Sequence, residues 1–400
     1  MDDASRVRFT GPLEPYAAGY AAELARLGYT PLSALMQLRL AAQLSRYLVS
    51  EGLPALTLDA ASDFLAARRT AGLREYVHMQ AFGPLLGYLR GIGAVPHPET
   101  AAPQGPAAGL LGAWDRYLAG ERGLGAGTRA NYARYARPFL DGFVSGDAGP
   151  EGLSAADVTA FMVRTACGRS PNETRYTATA LRSLLRFMHV RGLAPGPLAD
   201  AVPHVSRRGR TGRRTAATAQ AVAAMLAGCD RSRPAGRRDY AIIMLLARLG
   251  LRAGEAAGLD LDDLDWHAGL ITVHGKGSSH DRMPLPPDAG EAIAAWLRDG
   301  RPRNALDRRV FTRLPAPQRG LTAAALKYIV AAAAERAGTG RVSPHQLRHF
   351  AATVTLAAGA PLDEVRQVLR HRREAATAIY ASVGTERLRP LARPWPGGAS

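Results

Sequence analysis

Two arginines, a lysine, two histidines and a tyrosine occupy short stretches in the second half of this chain. They are Arg252 in "GLRAGEAAGL" (250–259), Lys276 in "GKGSSHDRMPL" (275–285), His345 and Arg348 in "HQLRH" (345–349), His371 in "LRH" (369–371) and Tyr380 in "AIYASV" (378–383). Arginines can neutralise charge that builds up on a phosphate, because the guanidinium stays protonated and its fork matches the oxygens. A phenol can attack and later leave, and a lysine can hand over a proton. The lysine is informative because the chain has only two, Lys276 and Lys327, and writes nearly all its other cations as arginine. Arginine cannot release a proton near neutral pH, whereas a lysine lowered by neighbouring cations and partial burial can. Singly, each stretch has a plainer reading: a surface arginine, a lysine decorating a turn, a surface His–Arg pair, a capping histidine, a core tyrosine.

The surrounding pattern indicates how these residues are carried. "LITVHGKGSSHDRMPLP" (270–286) alternates on both sides of "GKGSS" and reads as a β-hairpin with Lys276 near its tip. "RRDYAIIMLLARLGL" (237–251) is an apolar helix entering the tight turn that holds Arg252. Helices are expected at about 288–298, 322–337, 344–358, 361–370 and 374–382, so this region is mainly helical with one short sheet. Upstream, "PHPETAAPQGPAAG" (96–109) reads as a linker and "SRRGRTGRRTAAT" (206–218) as a basic one. They divide the chain into 1–98, 110–203 and 216–400. The first two divisions look like copies of one helical plan: "TLDAASDFLAARR" (57–69) matches "SAADVTAFMVRTA" (154–166), and "LLGYLRGIGAVP" (85–96) matches "LLRFMHVRGLAPGP" (184–197). Leu181, Leu184, Leu185 and Met188 form a core-facing stripe in the second copy. The formal charge of +17, from 51 Lys+Arg against 34 Asp+Glu, points to a polyanionic partner, although a solvated basic surface would carry it too.

Taken together, the order, spacing and context of these stretches resemble the tyrosine recombinase (phage integrase) family. The resemblance is close over about 216–385 and looser over 110–200. "GLRAGE" matches the family's "GLRxxE" turn, "HQLRH" its H-x-L-R-H box, the hairpin lysine is followed by "R-x-P-L", and His371 precedes Tyr380 by nine residues. The resemblance implies an α+β protein, mainly α with a small β-sheet: tandem helical SAM-like core-binding domains followed by a tyrosine recombinase catalytic domain. It implies that Tyr380 attacks a DNA phosphodiester to give a 3′-phosphotyrosyl intermediate, conserving the bond energy for rejoining. Arg252 and Arg348 would hold the charged non-bridging oxygens. Lys276 would protonate the leaving 5′-hydroxyl, with Gly275 and Gly277 allowing the tip close to the backbone. His345 and His371 would bond the scissile phosphate or assist proton transfer, and Glu255 would orient Arg252. Arg129, Arg175 and Arg182, with Arg207, Arg208, Arg213 and Arg214 of the basic linker, are the candidates for DNA-backbone contacts. The chain departs from the family at Arg370, where a glycine is usual before the second histidine, and in the polar residues thinned to "REAATA".

The implied partners are double-stranded DNA and further copies of the chain, in a tetrameric synapse, with no metal and no cofactor. A mobile-element integrase is the setting the tandem helical copies favour; an Xer-like chromosome-dimer resolvase and a non-catalytic DNA-binding protein of the same fold are alternatives. A type IB topoisomerase would share the chemistry, but the duplicated helical part suits site-specific binding better. A metal hydrolase is disfavoured: His345 and His349 stand at i, i+4, but Gln346 replaces the expected glutamate and Arg348 puts a cation beside the supposed metal. Two cysteines fit a reducing compartment. With no apolar signal core and no run of membrane-spanning length, the chain reads as cytoplasmic.

Overall fold

A computed structural model describes residues 7–96, 106–144, 152–205, 216–275 and 280–370. In chain order the first helices are α1 (Ala17–Arg26), α2 (Pro31–Ser50), α3 (Leu58–Thr70) and α4 (Gly83–Gly91), then α5 (Pro106–Gly120), α6 (Ala126–Val144), α7 (Ala155–Ala166) and α8 (Pro171–Val190). The remainder comprises α9 (Ala219–Ala227), α10 (Pro234–Leu249), α11 (Ala253–Ala257), strands β1 (Leu264–Asp265), β2 (Leu270–His274) and β3 (His280–Pro284), α12 (Pro287–Asp299), α13 (Ala323–Arg336), α14 (Pro344–Ala357) and α15 (Leu362–Val368). The fold is thus mainly helical with one small sheet. Backbone contacts group it into two units, Met1–Val95 with Arg214–Ser400, and Pro96–Arg213.

Within Pro96–Arg213, the stripe Leu181, Leu184, Leu185 and Met188 is buried, with Trp114 and Phe139, in one core. α7 starts on a capping box in which Ser154 Oγ accepts from Asp157 N while Asp157 Oδ2 accepts from Ser154 N. Its counterpart α3 is capped by Thr57, whose Oγ1 accepts from Ala60 N at 3.1 Å. The next pair is unlike. α8 runs twenty residues from a Ser170–Glu173 capping box, whereas α4 has nine, among them Gly83, Gly87 and Gly91, which weaken a helix.

In the larger unit, α10 is apolar nearly all round, and Ala241, Ile242, Ile243, Leu245 and Leu246 are fully buried. It is the central rod against which α12, α13, α14 and α9 pack. Burying each of these isoleucine and leucine side chains stabilises the fold by about 1.5–3 kcal/mol. The sheet is antiparallel in the order β1-β2-β3, and β2 faces the core through Ile271 and Val273. The residues before Val95 form their own core, containing Tyr20, Leu44, Phe64 and Phe82. This helical module abuts the segment after α12: Gly28 has φ +82, and a Cβ there would lie 2.9 Å from Gln318 Oε1 and 3.0 Å from Asn304 Nδ2. Glycine is needed at that point for both the backbone angle and the approach.

Candidate active site

The turn after α10 shows why its sequence is "GLR". Gly250 closes the helix with φ +58, a left-handed conformation that ends helices readily when the residue is glycine. A Cβ on Gly250 would sit 2.8 Å from Leu369 Cδ2, so α15 packs directly on bare backbone. Leu251 is buried and anchors the turn, leaving Arg252 to begin α11 at the surface, with 49% of its side chain exposed. Glu255, one turn on, is buried. Its Oε2 accepts from Arg252 N at 2.9 Å, and its Oε1 is bonded by Arg252 Nη1. Arg370 Nη2 reaches the same carboxylate at 2.7 Å. Burial alone would raise this carboxyl; the Arg252 backbone N–H and the Arg370 and Arg252 guanidinium groups outweigh it and hold it below the usual carboxylate range.

α14 delivers the other pair. Ser343 caps it in a box with Gln346: Gln346 Oε1 accepts from Ser343 N at 3.0 Å, and Pro344 occupies the first helical turn. The glutamine that stands where a metalloprotease helix has its base therefore starts the helix. His345 is exposed, and its Nε2 lies 2.9 Å from His349 Nε2, with the rings edge to face. Arg348, one turn along, is buried: Nη1 donates to Gly250 O at 2.6 Å and Nη2 to Leu369 O. Carbonyls at the ends of α10 and α15 thus fix its guanidinium.

Arg252, His345 and Arg348 line one cleft of about 610 Å³. Lys327, from α13, and Arg341, just before α14, line it as well. Sequence reasoning assigned neither a role; the one available signal was that Lys327 is a lysine in a chain that avoids them. A cleft carrying these four cations attracts an anion. At the base of the hairpin, His274 Nε2 lies 2.5 Å from Asp263 Oδ1 and its ring meets His280 edge to face. Among the described residues no cluster of three or more His, Cys, Asp or Glu is placed to hold a metal ion.

Lys276, His371 and Tyr380, the expected helix at 374–382, and the linker arginines Arg207, Arg208, Arg213 and Arg214 lie outside the described residues. Of the remaining candidates for DNA contact, Arg129 pairs with Asp115 at 3.0 Å, and Arg182 Nη2 donates to Val202 O and Pro203 O. Arg175 is half-buried on α8.

Residues 216–387 match the model of the phage integrase family. The integrase/recombinase-type protein y4rA of Sinorhizobium fredii is 38% identical over 97% of this chain and 96% of its own length. The tyrosine recombinase XerD of Mycobacterium tuberculosis is 33% identical over 70% of this chain and 94% of its own. The solved structure of XerH recombinase bound to a palindromic difH substrate superposes with a TM-score of 0.57 at 18% identity, over 84% of this chain and 94% of that one. The Tn1549 transposon integrase in complex with transposon right end DNA gives 0.54 at 15% identity, over 71% and 99%. Both share the fold. No helix among the described residues is long and apolar enough to cross a membrane.

Proposed function

Because this chain belongs to the phage integrase family and is a site-specific DNA recombinase, we propose that its cleft binds the scissile phosphate of double-stranded DNA. Arg252 and Arg348 bond the non-bridging oxygens and offset the charge that grows there during attack. Tyr380 is the nucleophile; its oxygen bonds to phosphorus as the bond to the 5′-oxygen breaks, leaving a 3′-phosphotyrosyl link. Lys276 gives its proton to the departing 5′-oxygen, and His345 and His371 bond the phosphate or take the tyrosine proton. The observation that supports this reading is the cleft itself, where Arg252 meets His345 and Arg348, about a hundred residues later in the chain, beside Lys327 and Arg341. The division 1–98, 110–203 and 216–400 is proposed as a helical module, a core-binding domain carrying Arg129, Arg175 and Arg182, and the catalytic domain. The linker arginines Arg207, Arg208, Arg213 and Arg214 would follow the DNA backbone, and recombination would proceed in a tetrameric synapse in the cytoplasm.

A nicked suicide substrate tests the chemistry. The protein should form a covalent adduct visible on a denaturing gel, and Tyr380→Phe should bind the same DNA without forming one. An adduct from Tyr380→Phe would remove that residue as nucleophile. A mobile-element role is favoured over chromosome-dimer resolution by coverage: the XerD relative matches along nearly its whole length yet leaves part of this chain without a counterpart, while y4rA spans almost all of it. Inverted repeats flanking the coding sequence, cleaved by the purified protein, would support this setting; cleavage confined to a chromosomal dimer-resolution site would refute it.

A further inference from the structure

We propose that Arg370 is a positioning residue for this reaction, holding Glu255 so that Arg252 is oriented while the Arg252–Glu255–Arg370 group keeps a net positive charge. The inference rests on the proposed role of Arg252 at the phosphate. Arg370 has φ +52, one of two non-glycine residues with positive φ among those described. That conformation costs a residue with a Cβ about 1–2 kcal/mol, which glycine avoids. The chain nevertheless places there a side chain that is only 8% exposed and carries a charge. A buried guanidinium is itself unfavourable unless it is paired. Two unfavourable choices at one position point to work done by the side chain.

The contacts show what that work is. Arg252 Nη1 takes one oxygen of Glu255, and Arg370 Nη2 takes the other at 2.7 Å, sharing it with the Arg252 N–H. The carboxylate is bridged from both sides and cannot swing away from Arg252. The charge count matters equally. Glu255 with Arg252 alone is neutral; with Arg370 the group keeps one net positive charge. The far nitrogen, Nη1, lies 3.1 Å from Met283 Sδ and 3.3 Å from Val368 O. Met283 pairs with Ile271 in the hairpin. Leu369, the preceding residue, gives its carbonyl to Arg348. The dipeptide Leu369–Arg370 therefore touches the support of both cleft arginines and the hairpin strand.

Arg370→Gly separates this role from a structural one, because glycine takes φ +52 without strain. The variant should stay folded, with a Tm lowered less than loss of the buried pair alone would lower it because the backbone strain is relieved, and bind target DNA with unchanged affinity. Its single-turnover cleavage of a suicide substrate at saturating DNA should fall by about 10- to 100-fold, the scale of a slightly misplaced catalytic group. Arg370→Lys should recover part of the rate. In a Glu255→Gln background Arg370→Gly should add little further loss, since the carboxylate it holds is gone. Should Arg370→Gly fail to fold, Arg370→Asn serves, because asparagine also tolerates the left-handed region. Parental cleavage by Arg370→Gly, or losses that multiply independently with Glu255→Gln, would overturn the proposal. Arg252→Ala distinguishes the two failures. If it cleaves normally, the reading of the cleft is wrong; if it is inactive while Arg370→Gly is not, only the role of Arg370 is wrong.

Discussion

Glu255→Gln is the perturbation whose size follows most directly from the geometry. The carboxylate, 6% exposed, accepts from Arg252 N, Arg252 Nη1 and Arg370 Nη2. Glutamine fits the space but offers one neutral oxygen, and its amide N–H₂ must face a guanidinium. Removing one partner of a buried ion pair costs about 3–5 kcal/mol. Arg252 is half exposed and water screens its share, so the lower end, about 3 kcal/mol, is expected. At about 2–4 °C per kcal/mol for a cooperative unit of about 150–250 residues, the size of the proposed catalytic domain, its Tm should fall by about 6–12 °C. Because the Glu255 carboxyl is held below its ordinary value in the folded state, its stabilisation is present above the unfolded carboxylate pKa and disappears as pH falls through the folded one. The gap between parent and variant should therefore be full at pH 7 and narrow below about pH 4. Calorimetry across that range, with suicide-substrate cleavage at pH 7, measures both effects. A Tm gap that is absent at pH 7 or persists unchanged in acid would refute this account, as would parental cleavage by the variant.

Lys276→Arg should bind DNA normally and lose cleavage of ordinary substrate, while a 5′-thio leaving group, which needs little protonation, restores it; absence of rescue would remove Lys276 from the acid role. Lys327→Ala should weaken DNA binding and lower the slope of log K against log salt by about 0.9, the signature of one phosphate contact, and an unchanged slope would place Lys327 off the DNA. EDTA should leave cleavage intact, since the named residues account for both proton transfers and for charge stabilisation; inhibition reversed by zinc or magnesium would favour a metal hydrolase. A chain lacking residues 1–105 should keep the parental salt slope, because Gly28 of the module lies against Gln318 and Asn304 of the catalytic segment. A markedly shallower slope would assign the module to DNA.

Local signals made much of this legible. "GLRAGE" encodes a helix stop, an anchor and a cap within six residues, and "HQLRH" keeps His345 and Arg348 on one helix face, so Arg252, His345 and Arg348 could be picked out before any contact was known. The hairpin followed from alternation, and Ile271 and Val273 face the core as period two requires. Lys327 and Arg341 were not legible as cleft residues, since α13 reaches the cleft only through long-range packing. Gln346 is instructive in the other direction. Weighed against a zinc helix it was a missing base, yet S-x-x-Q before an apolar run is a capping box, and Ser343 forms one with it. The approach of the N-terminal module to the segment after α12 had no sequence signal either, because neither side of it is periodic.

The two arginines that sequence reasoning treated as equivalent are held in chemically different ways. Arg348 is fixed by Gly250 O and Leu369 O, neutral acceptors that set its plane without cancelling its charge. Its position therefore depends on where α10 and α15 end, and any change that moves either terminus moves the guanidinium. Arg252 is held by a carboxylate, which orients it firmly but would neutralise it. A second cation on that carboxylate offsets the neutralisation, and Arg370 provides one at 2.7 Å. In this chain the arginine that stands in place of the family's glycine thus adds a second hold on the carboxylate that anchors Arg252. Arg348 takes carbonyl acceptors at both Nη1 and Nη2, and substitution at Arg370 should reach it through the adjoining Leu369 carbonyl.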